Sequence, residues 1–438
     1  MKADSTRRVF LRGSTAAVGI GLAAKALGAD GQTPPSDAIR MGFVGIGPMG
    51  SGHLRGFSAR SDVAVAAICD VFQHKVDAAV KRLKGTAKGT TDFRRVLERK
   101  DVDAVVIATP PHWHAIIAVQ AAQAEKDFYV EKPMTMYVGE SQAIVKAARR
   151  YQRITQVGTQ IHAGGNYRRV VEIVRSGVLG PINLVRTFLV MNAGRGGIGK
   201  PANCPPPKGL DWDMWIGPGP MRPYNPALTR GAGAGHCWFM DYSGGWIPGM
   251  APHIIDLPIW ALELGHPVQT SCSGGRFVID DVADCPDVQE ALFRYPNLVM
   301  TWMMDLTNSY GFDFQGKGGR ARRLGVYFHG EKATLYSGYG SHTIIPEDDP
   351  SRTLELPGPS LPPSVGHHPE WLECIRARRQ PSCNVFYHHK VNVPICLANL
   401  SYAIGRSVQF DPETETIVGD EEASKLLMPV YREPWTLG

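Results

Sequence analysis

One motif restricts the fold of this 438-residue chain more than any other. It is G-x-G-x-x-G at residues 45–50, which lies between an apolar segment at 39–44 and a helical pattern that runs to residue 60. Gly45 allows a tight turn, Gly47 lets a pyrophosphate approach the backbone, and Gly50 lets the helix pack on the strand. The N-terminus of the helix then faces the phosphates. The motif in this context predicts a dinucleotide-binding Rossmann unit built on a parallel sheet.

An acidic residue follows the next predicted strand. Residues 63–69 form an apolar segment that leads into Asp70, twenty residues beyond Gly50. A carboxylate at this place accepts hydrogen bonds from a ribose 2′-hydroxyl and repels a 2′-phosphate. The spacing therefore favours NAD over NADP. The alternative is a glycine-rich turn with an unrelated surface aspartate.

The alternation of strands and helices continues to residue 130. An apolar segment at 102–108 precedes a helical pattern at 115–124, and a short strand is predicted at 128–130. In open α/β sheets, ligands bind at the carboxyl ends of the strands. Lys132 is therefore predicted to face the nicotinamide end of the cofactor, although a lysine at the end of a strand is also a common surface residue. The other residues expected in the cofactor site are Met49, Thr109, Pro110, His112, His114 and Glu131.

Several motifs occur in an order that resembles one enzyme family. They are G-x-G-x-x-G at 45–50, Asp70, Thr-Pro-x-His-x-His at 109–114, Glu-Lys-Pro at 131–133, Gly-Val-Leu-Gly at 177–180, Gly244-Gly245, His253 and Asp256. With this set the chain resembles the Gfo/Idh/MocA oxidoreductases over residues 39–410. The segment Leu-Asp-Trp-Asp-Met-Trp-Ile-Gly-Pro at 210–218 further resembles an exported subgroup that includes glucose–fructose oxidoreductase.

The resemblance implies an α/β protein of two domains and a redox reaction. An N-terminal Rossmann domain would be followed by a C-terminal α/β domain whose open, mainly antiparallel sheet often forms an oligomer interface, here of a dimer or tetramer. The implied chemistry is hydride transfer between a sugar or polyol carbon and tightly bound NAD. We therefore expect a signal segment at 1–29, a linker at 30–37, the Rossmann domain at 38–158, and the substrate-binding and oligomerisation domain at 159–438.

The second half of the chain has patterns that fit such a domain. Strands are predicted at 182–190, 288–295, 298–305, 323–329 and 333–336, and helices at 371–378 and 391–406. Residues 192–236 are rich in glycine and proline and have little apolar periodicity. Loops of this length are usually functional or disordered, so we predict that this loop covers the substrate.

The N-terminal segment has the features of an export signal. Arg7 and Arg8 precede a weakly hydrophobic stretch at 13–24 that is too short to span a bilayer. This order resembles a twin-arginine signal, which would send the folded protein to the periplasm or the exterior through the twin-arginine translocase. The alternative, an amphipathic helix, lacks a polar face.

Charge and composition exclude other partners. Residues 1–29 contain five basic residues and one acidic residue, which gives +4 of the formal net charge of +6 and leaves about +2 for the rest. We therefore expect no binding of nucleic acid. Since no apolar run of about 18 residues follows residue 30, we also expect no stable membrane anchor. The eight cysteines form no C-x-x-C pair, and three histidines, His236, His367 and His368, lack a metal-ligand pattern with nearby acids, so no catalytic metal is expected.

Two residues qualify for proton transfer. Oxidation of a secondary alcohol requires an acid or base within hydrogen-bond reach of the hydroxyl group. His253 has a reference pKa near neutrality, and the ammonium group of Lys132 can polarise a carbonyl in the reverse direction. The resemblance assigns the catalytic group to both positions. Asp256, one helical turn after His253, either orients the imidazole or is a solvated carboxylate.

One position departs from the family pattern. Many members carry an aspartate four residues before the histidine, whereas this chain has Gly249. The Lys–Asp–His set of polyol dehydrogenases is therefore incomplete, which argues against simple inositol dehydrogenase activity. Asp241 or the predicted substrate loop is expected to supply the missing carboxylate.

Aromatic residues are candidates for sugar binding, because aromatic faces pack on the apolar faces of pyranose rings. Packing in the core or at an interface is the alternative for each of them. The candidates are Trp113, Trp212, Trp215, Tyr242 and Trp246.

Three functions remain open from the sequence. The first is a periplasmic NAD-dependent sugar or glycoside oxidoreductase. The second is a redox-neutral glycosidase, in which bound NAD oxidises C3 of the sugar, the aglycone is eliminated, water adds, and the ketone is reduced again. Against it, the Tyr-Pro-Thr-His pattern of the known NAD-dependent N-acetylgalactosaminidases is absent around His253. The third is a sugar- or nucleotide-sensing protein, against which the presence of both Lys132 and His253 argues.

Overall fold

The computed structural model describes residues 37–230, 235–310 and 323–437. The predicted signal segment at 1–29 and most of the linker at 30–37 lie outside these residues. No helix in the described part of the chain is long and apolar enough to cross a membrane.

The first domain is a parallel sheet of six strands. Its strands are β1 (Ile39–Val44), β2 (Val63–Cys69), β3 (Lys88–Thr90), β4 (Ala104–Ile107), β5 (Asp127–Val130) and β6 (Thr155–Val157). Its helices are α1 (Pro48–Ser58), α2 (Gln73–Arg82), α3 (Arg94–Leu97), α4 (His114–Gln123) and α5 (Val138–Arg150). The strand order β3-β2-β1-β4-β5-β6 is that of a dinucleotide-binding Rossmann fold. The prediction of this domain is confirmed.

Both faces of this sheet are buried. Along β1, Phe43 packs in the cluster that contains Leu54 and Phe57 of α1, whereas Val44 packs in the cluster of the opposite face. Side chains alternate between the two faces of a strand, so a strand covered on both faces reads as a continuous apolar run. This explains why β1 and β4 could be recognised from the sequence.

The second domain contains a ten-stranded sheet. Its strands are β7 (Ile182–Asn192), β8 (Gln269–Gly275), β9 (Val288–Arg294), β10 (Val299–Asp305), β11 (Thr307–Asn308), β12 (Leu324–Gly330), β13 (Ala333–Ser337), β14 (His342–Pro346), β15 (Val408–Asp411) and β16 (Thr416–Ile417). The order is β14-β13-β12-β7-β10-β9-β8-β15-β16, with β11 paired to β7. β7 and β10 run parallel, and the other described pairs of this sheet are antiparallel. The predicted open, mainly antiparallel sheet is confirmed.

Helices of the second half pack on the second sheet or on the first domain, and they carry site residues of this half. They are α6 (Gly165–Arg175), α7 (Trp212–Ile216), α8 (Pro226–Thr229), α9 (Met240–Ser243), α10 (Trp246–Met250), α11 (Pro252–Leu262), α12 (His367–Ala377), α13 (Val385–Ile404) and α14 (Glu421–Lys425). The predicted substrate loop at 192–236 contains two of them, α7 and α8, so its described part is less irregular than its composition indicated.

The C-terminal part of the chain completes the core of the first domain. Trp371 of α12 is fully buried, and its ring lies 5.9 Å from that of Phe57 on α1. Cys383 and Val385 pack in the cluster on the other face of the same sheet. The predicted domain boundary between residues 158 and 159 therefore separates the first domain from side chains, later in the sequence, that complete its core.

Candidate functional site

The glycine-rich loop between β1 and α1 leaves its backbone open to a ligand. Gly45 has a φ of +89°, and a Cβ atom there would lie 2.6 Å from the backbone of Ala108. A Cβ atom on Gly50 would lie 1.8 Å from the carbonyl oxygen of Gly45, so helix and strand meet without room for a side chain. Nothing lies within 4 Å of the Cβ position of Gly47, which precedes α1. This cradle fits a pyrophosphate at the helix N-terminus.

Asp70 follows β2 directly beside this loop. Its Oδ2 atom accepts a hydrogen bond of 2.7 Å from the backbone N–H of Ile46, and its Oδ1 atom accepts one of 2.9 Å from that of Phe72. Each carboxylate oxygen has a further lone pair. Asp70 therefore holds the shape of the glycine-rich loop, and its predicted contact with the ribose stays a prediction.

His112 links the two domains. Its Nε2 atom lies 3.0 Å from the carbonyl oxygen of Trp215, and its Nδ1 atom lies 3.2 Å from that of Tyr242. Burial lowers the pKa of His112 to about 4, so the ring is neutral at physiological pH. A neutral ring has one N–H group, so His112 donates one hydrogen bond to the backbone of the second domain. Its predicted role in the cofactor site stays a prediction.

His114 has a similar structural role within the first domain. Its two ring nitrogens lie 2.8 Å from the carbonyl oxygen of Pro133 and 2.9 Å from that of Thr109. It therefore joins the loop after β4, in which Pro110 also lies, to the loop after β5, and its predicted place in the cofactor site stays a prediction. The hydroxyl oxygen of Thr109 is buried without a hydrogen-bond partner among the described residues. Met49, at the start of α1, is 53% exposed.

Most of the proposed sugar-binding aromatics lie in the core. Trp113, Trp215 and Tyr242 are 4%, 6% and 0% exposed. The indole N–H of Trp113 donates to backbone carbonyls of α7, and its ring packs edge-on against Trp435 at 4.6 Å. For these three the packing alternative is correct. Trp212 and Trp246 keep partial exposure and remain candidates for sugar contacts.

Glu131 lies beneath the site in a buried hydrogen-bonded group. Its Oε1 atom is 2.8 Å from Nε2 of His53, and its Oε2 atom accepts a hydrogen bond of 3.1 Å from the backbone N–H of Lys132. Burial raises the pKa of Glu131, but the hydrogen bond and charge of His53, together with the charge of Lys132, outweigh burial and hold the pKa at about 2. Glu131 is therefore an anion that positions the backbone of Lys132, and its predicted contact with the cofactor stays a prediction.

Lys132 projects from the first domain toward groups of the second. Its Nζ atom donates a hydrogen bond of 3.4 Å to the carbonyl oxygen of Gly249. The positive charge of Lys132 acts on His236, Cys237 and His253. Lys132 and His253, predicted from opposite halves of the chain, thus belong to one site.

His253, near the start of α11, is neutral in this environment. Burial, and then the charge of Lys132, lower its pKa to about 3. Its Nδ1 atom is buried and has no hydrogen-bond partner among the described residues. A neutral imidazole presents a lone pair to a substrate hydroxyl. Because a pKa of about 3 makes it a weak base, proton uptake depends on the negative charge that develops on the substrate oxygen.

Asp256 lies one turn further along α11 and is fully buried. Its Oδ1 atom is 3.0 Å from Nε2 of His162 and accepts a hydrogen bond from the hydroxyl of Tyr387. Its burial excludes the solvated carboxylate. Because these hydrogen bonds lead to His162 and Tyr387, the structure links Asp256 to the packing behind His253 and shows no hydrogen bond between the two in the described residues.

Many family members carry an aspartate where this chain has Gly249, and no side chain at this position takes its place. Asp241 is exposed on α9, where Asp284 and Arg222 are the charged groups that act on it, and burial followed by Asp284 raises its pKa. The contact to Lys132 comes instead from the backbone carbonyl of Gly249. The space beside Gly249 is open, since its Cβ position lies 4.0 Å from the sulfur of Cys237.

Two residues of the site were missed in the sequence. His236 and Cys237 lie in the short 3₁₀ turn Gly235–Trp238, and both are partly exposed. Burial lowers the pKa of His236 to about 3 and raises the pKa of the Cys237 thiol. Their position at the end of the glycine- and proline-rich loop, just before Gly244-Gly245, is the signal that could have indicated them.

Comparison with known proteins identifies the family. Residues 39–159 match the profile described as "Oxidoreductase family, NAD-binding Rossmann fold", and residues 166–437 match "Oxidoreductase family, C-terminal alpha/beta domain". The chain belongs to the Gfo/Idh/MocA oxidoreductase family. It therefore binds NAD, which the glycine cradle at 45–50 fits, and the fold class predicted from its motifs is confirmed.

Solved structures of low sequence identity share this fold. Levoglucosan dehydrogenase in complex with NADH and levoglucosan is 18% identical, with a TM-score of 0.61 over 85% of this chain and 99% of that chain. Myo-inositol 2-dehydrogenase from Lactobacillus plantarum is 17% identical, with a TM-score of 0.60 over 85% and 100% of the two chains. Aldose-aldose oxidoreductase from Caulobacter crescentus is 16% identical, with a TM-score of 0.61 over 85% and 100%.

Curated relatives match over a shorter region. A glycosyl hydrolase family 109 protein of Shewanella sp. strain W3-18-1 is 34% identical over 157 residues, which is 34% of this chain and 34% of that protein. An alpha-N-acetylgalactosaminidase of Shewanella oneidensis is 33% identical over 157 residues, again 34% of each. The match thus spans about a third of the length of these relatives.

Proposed function

We propose that this enzyme transfers hydride between a hydroxyl-bearing carbon of a sugar or glycoside and tightly bound NAD. The observation that carries the proposal is the hydrogen bond from Lys132, at the carboxyl edge of the Rossmann sheet, to the carbonyl oxygen of Gly249, four residues before His253, whose pKa the charge of Lys132 lowers. The sugar dehydrogenases among the structural neighbours support the substrate class.

The residues of this site divide the proton chemistry between them. The backbone at 45–50 and Asp70 would hold the cofactor, and NAD supplies a hydride acceptor when bound. The neutral imidazole of His253 accepts the hydroxyl proton of the substrate. The ammonium group of Lys132 stabilises the negative charge that develops on the same oxygen, and Glu131 holds the backbone from which Lys132 projects.

A single-turnover measurement tests this function. The purified protein is analysed for co-purified NAD, and nicotinamide absorbance is followed after addition of pyranoses and aryl glycosides. We expect reduced nicotinamide with at least one of them, and a rate at least about 10²-fold lower in Lys132→Met. The exposed Lys208→Met serves as the matched control and should keep the wild-type rate. Reduction at the wild-type rate in Lys132→Met would remove the lysine from the mechanism.

A redox-neutral glycosidase is the second candidate, supported by the glycosyl hydrolase names of the curated relatives. In this reaction oxidation at C3 acidifies the C2 proton, the aglycone leaves by elimination, water adds, and the ketone is reduced again. Incubation in deuterated water distinguishes the two. Deuterium at C2 together with free aglycone and no net change in NADH would favour the glycosidase, whereas an accumulating keto-sugar without free aglycone favours the oxidoreductase.

The location of the enzyme is also a proposal, since residues 1–29 lie outside the described part of the chain. We infer twin-arginine export to the periplasm from Arg7, Arg8 and the short apolar stretch that follows. An exported enzyme has no soluble NAD pool and must retain its cofactor through turnover. Lysine at both arginine positions should leave a folded, NAD-bound precursor in the cytoplasm. Continued export of that variant would contradict the proposal.

We further propose that the open face of the second sheet joins copies of the chain into a dimer or tetramer. Phe293 of β9 is fully buried, whereas its neighbour Leu292 points to the other face and is 40% exposed. Light scattering should report a homo-oligomer, and Leu292→Glu should shift it toward the monomer. A monomeric wild-type protein would contradict this assembly.

A further inference from the structure

Three side chains with metal-binding atoms meet at a place remote in sequence from the glycine-rich loop. His266 follows α11, His389 lies in α13, and Glu415 lies in the turn between β15 and β16. The two Glu415 oxygens lie 3.4 Å from Nε2 of His266 and 3.0 Å from Nε2 of His389. The side chains of His266 and His389 are 9% and 7% exposed, and that of Glu415 is 30% exposed.

The spacing of these atoms suits a tetrahedral cation. One ligand atom from each residue lies within 4.8 Å of the others. Zn²⁺ binds imidazole nitrogen and carboxylate oxygen at about 2.0–2.2 Å, which places tetrahedral ligand atoms roughly 3.3 Å apart. The separation of 3.4 Å from His266 to Oε1 and that of 3.0 Å from His389 to Oε2 are both close to this value. Two imidazoles and one carboxylate are, moreover, a common donor set for first-row divalent metals.

Neighbouring groups orient two of the three residues. Oγ of Ser141 on α5 lies 2.6 Å from Nδ1 of His389. When Nδ1 donates its proton to this oxygen, Nε2 presents its lone pair to a cation, which is the outer hydrogen bond that metal-binding histidines usually have. The side-chain amide of Gln142 donates to the backbone oxygen of Glu415 at 3.0 Å and to Oε2 at 3.3 Å. The carboxylate is therefore held in place from its outer side.

Solvent reaches the outer side of Glu415 through an open surface pocket that is lined by Gln142, Lys146, Arg149 and Arg150, among others. The three basic side chains repel a cation, so the affinity has to come from the three ligands themselves. Water can fill the remaining coordination position.

We propose that His266, His389 and Glu415 form a binding site for a first-row divalent cation, with Zn²⁺ as the best fit. The site is separate from Lys132 and His253 and takes no part in hydride transfer. It cross-links the loop after α11, the helix α13 and the β15–β16 turn, so its effect is on stability. A second group of metal-binding atoms, at Asp256, Cys383 and His388, is fully buried, and Asp256 is already bonded to His162 and Tyr387.

Metal titration of the full-length enzyme tests the proposal. Protein treated with a chelator is titrated with Zn²⁺ against a chromophoric competitor, and Co²⁺ absorption reports the geometry. We expect one equivalent of bound metal and a tetrahedral Co²⁺ spectrum. Glu415→Gln and His266→Gln should each weaken binding at least tenfold, whereas Glu413→Gln, an exposed carboxylate in the same turn, should leave it unchanged.

Two further measurements keep the test decisive. Ser141→Ala retains all three ligands and should weaken Zn²⁺ binding about 10–100-fold, the range typical of lost outer hydrogen bonds. Bound Zn²⁺ should raise the melting temperature of the wild type but not that of Glu415→Gln, and circular dichroism checks that each variant is folded. Absence of bound metal in the wild type, or equal affinity in Glu415→Gln and wild type, would overturn the proposal.

Discussion

Mild acid should unfold this enzyme, because below about pH 6.5 many of its histidines stay neutral in the folded protein but are protonated in the unfolded chain. Six of the histidines with a lowered pKa have it lowered to about 3 or 4, and burial is the largest cause for each. The pKa is about 4 for His112 and His388, and about 3 for His236, His253, His367 and His368. Between these values and the reference value near 6.5, the unfolded chain binds more protons than the folded protein. Stability is therefore complete above about pH 6.5 and is lost as the pH falls.

The size of the effect follows from the pKa shifts. Each group lowers the free energy of unfolding by about 1.4 kcal/mol for every pH unit below 6.5. We take the full contribution to the free energy of unfolding for His112 and His388, which are buried. For the other four histidines, which keep some contact with solvent, we take half of it. The histidines then cost about 6 kcal/mol at pH 5.5 and about 8 kcal/mol at pH 5, and the Glu140 carboxyl, whose pKa burial raises to about 7, offsets about 2 kcal/mol of this. Native proteins have roughly 5–15 kcal/mol in total, so we expect unfolding at about pH 5.

Urea unfolding of the NAD-saturated enzyme, followed by tryptophan fluorescence from pH 8 to pH 5, measures this loss. His388→Phe removes one titrating group without breaking a hydrogen bond, because both ring nitrogens of His388 lack partners among the described residues. This variant should reduce the slope of the free energy of unfolding against pH by up to about 1.4 kcal/mol per pH unit, which corresponds to one proton. The exposed His74→Gln is the matched control and should follow the wild type. A wild-type free energy of unfolding that stays constant from pH 7 to pH 5 would refute the reasoning.

The remaining predictions concern the cofactor and the reaction. Gly50→Ala should lower NAD affinity at least about tenfold in calorimetric titration, because its Cβ would lie 1.8 Å from the oxygen of Gly45; unchanged affinity would mean that the loop is not the pyrophosphate site. Asp70→Ser should shift preference toward NADP, and unchanged selectivity would remove Asp70 from the ribose contact. Lys132→Met and His253→Ala should each lower turnover about 10²–10⁴-fold with NAD still bound. The double variant should be less than additive, and fully additive losses would show that the two groups act independently.

Local patterns predicted the parts of the fold that depend on neighbours in sequence. The glycine spacing at 45–50 and the apolar runs of β1, β2 and β4 led to the Rossmann sheet, because a strand buried on both faces has to be apolar throughout. The hairpin of β9 and β10 followed from alternation around Pro296-Asn297. The order of motifs then led to Lys132 and His253, which lie in different domains.

Residues whose role depends on distant contacts were not predictable in this way. The sequence suggests that Trp113 and Tyr242 pack against a sugar ring, yet each is buried by segments more than a hundred residues away. Cys237 lies in a segment without periodicity, and only the fold brings it close to Gly249, whose carbonyl oxygen Lys132 contacts. The role of Gly249 was also hidden, since its backbone carbonyl, which every residue has, makes the contact.

The packing of the C-terminal segment on the first domain bears on how the protein is made. Trp371 and Val385 fill the two faces of a sheet whose own strands end at residue 157. Domains generally fold in order as they leave the ribosome, but this sheet lacks part of its core until more than two hundred further residues have been synthesised. A fragment that ends at residue 158 should therefore be aggregation-prone, and the nucleotide site should mature only once the whole chain has been released.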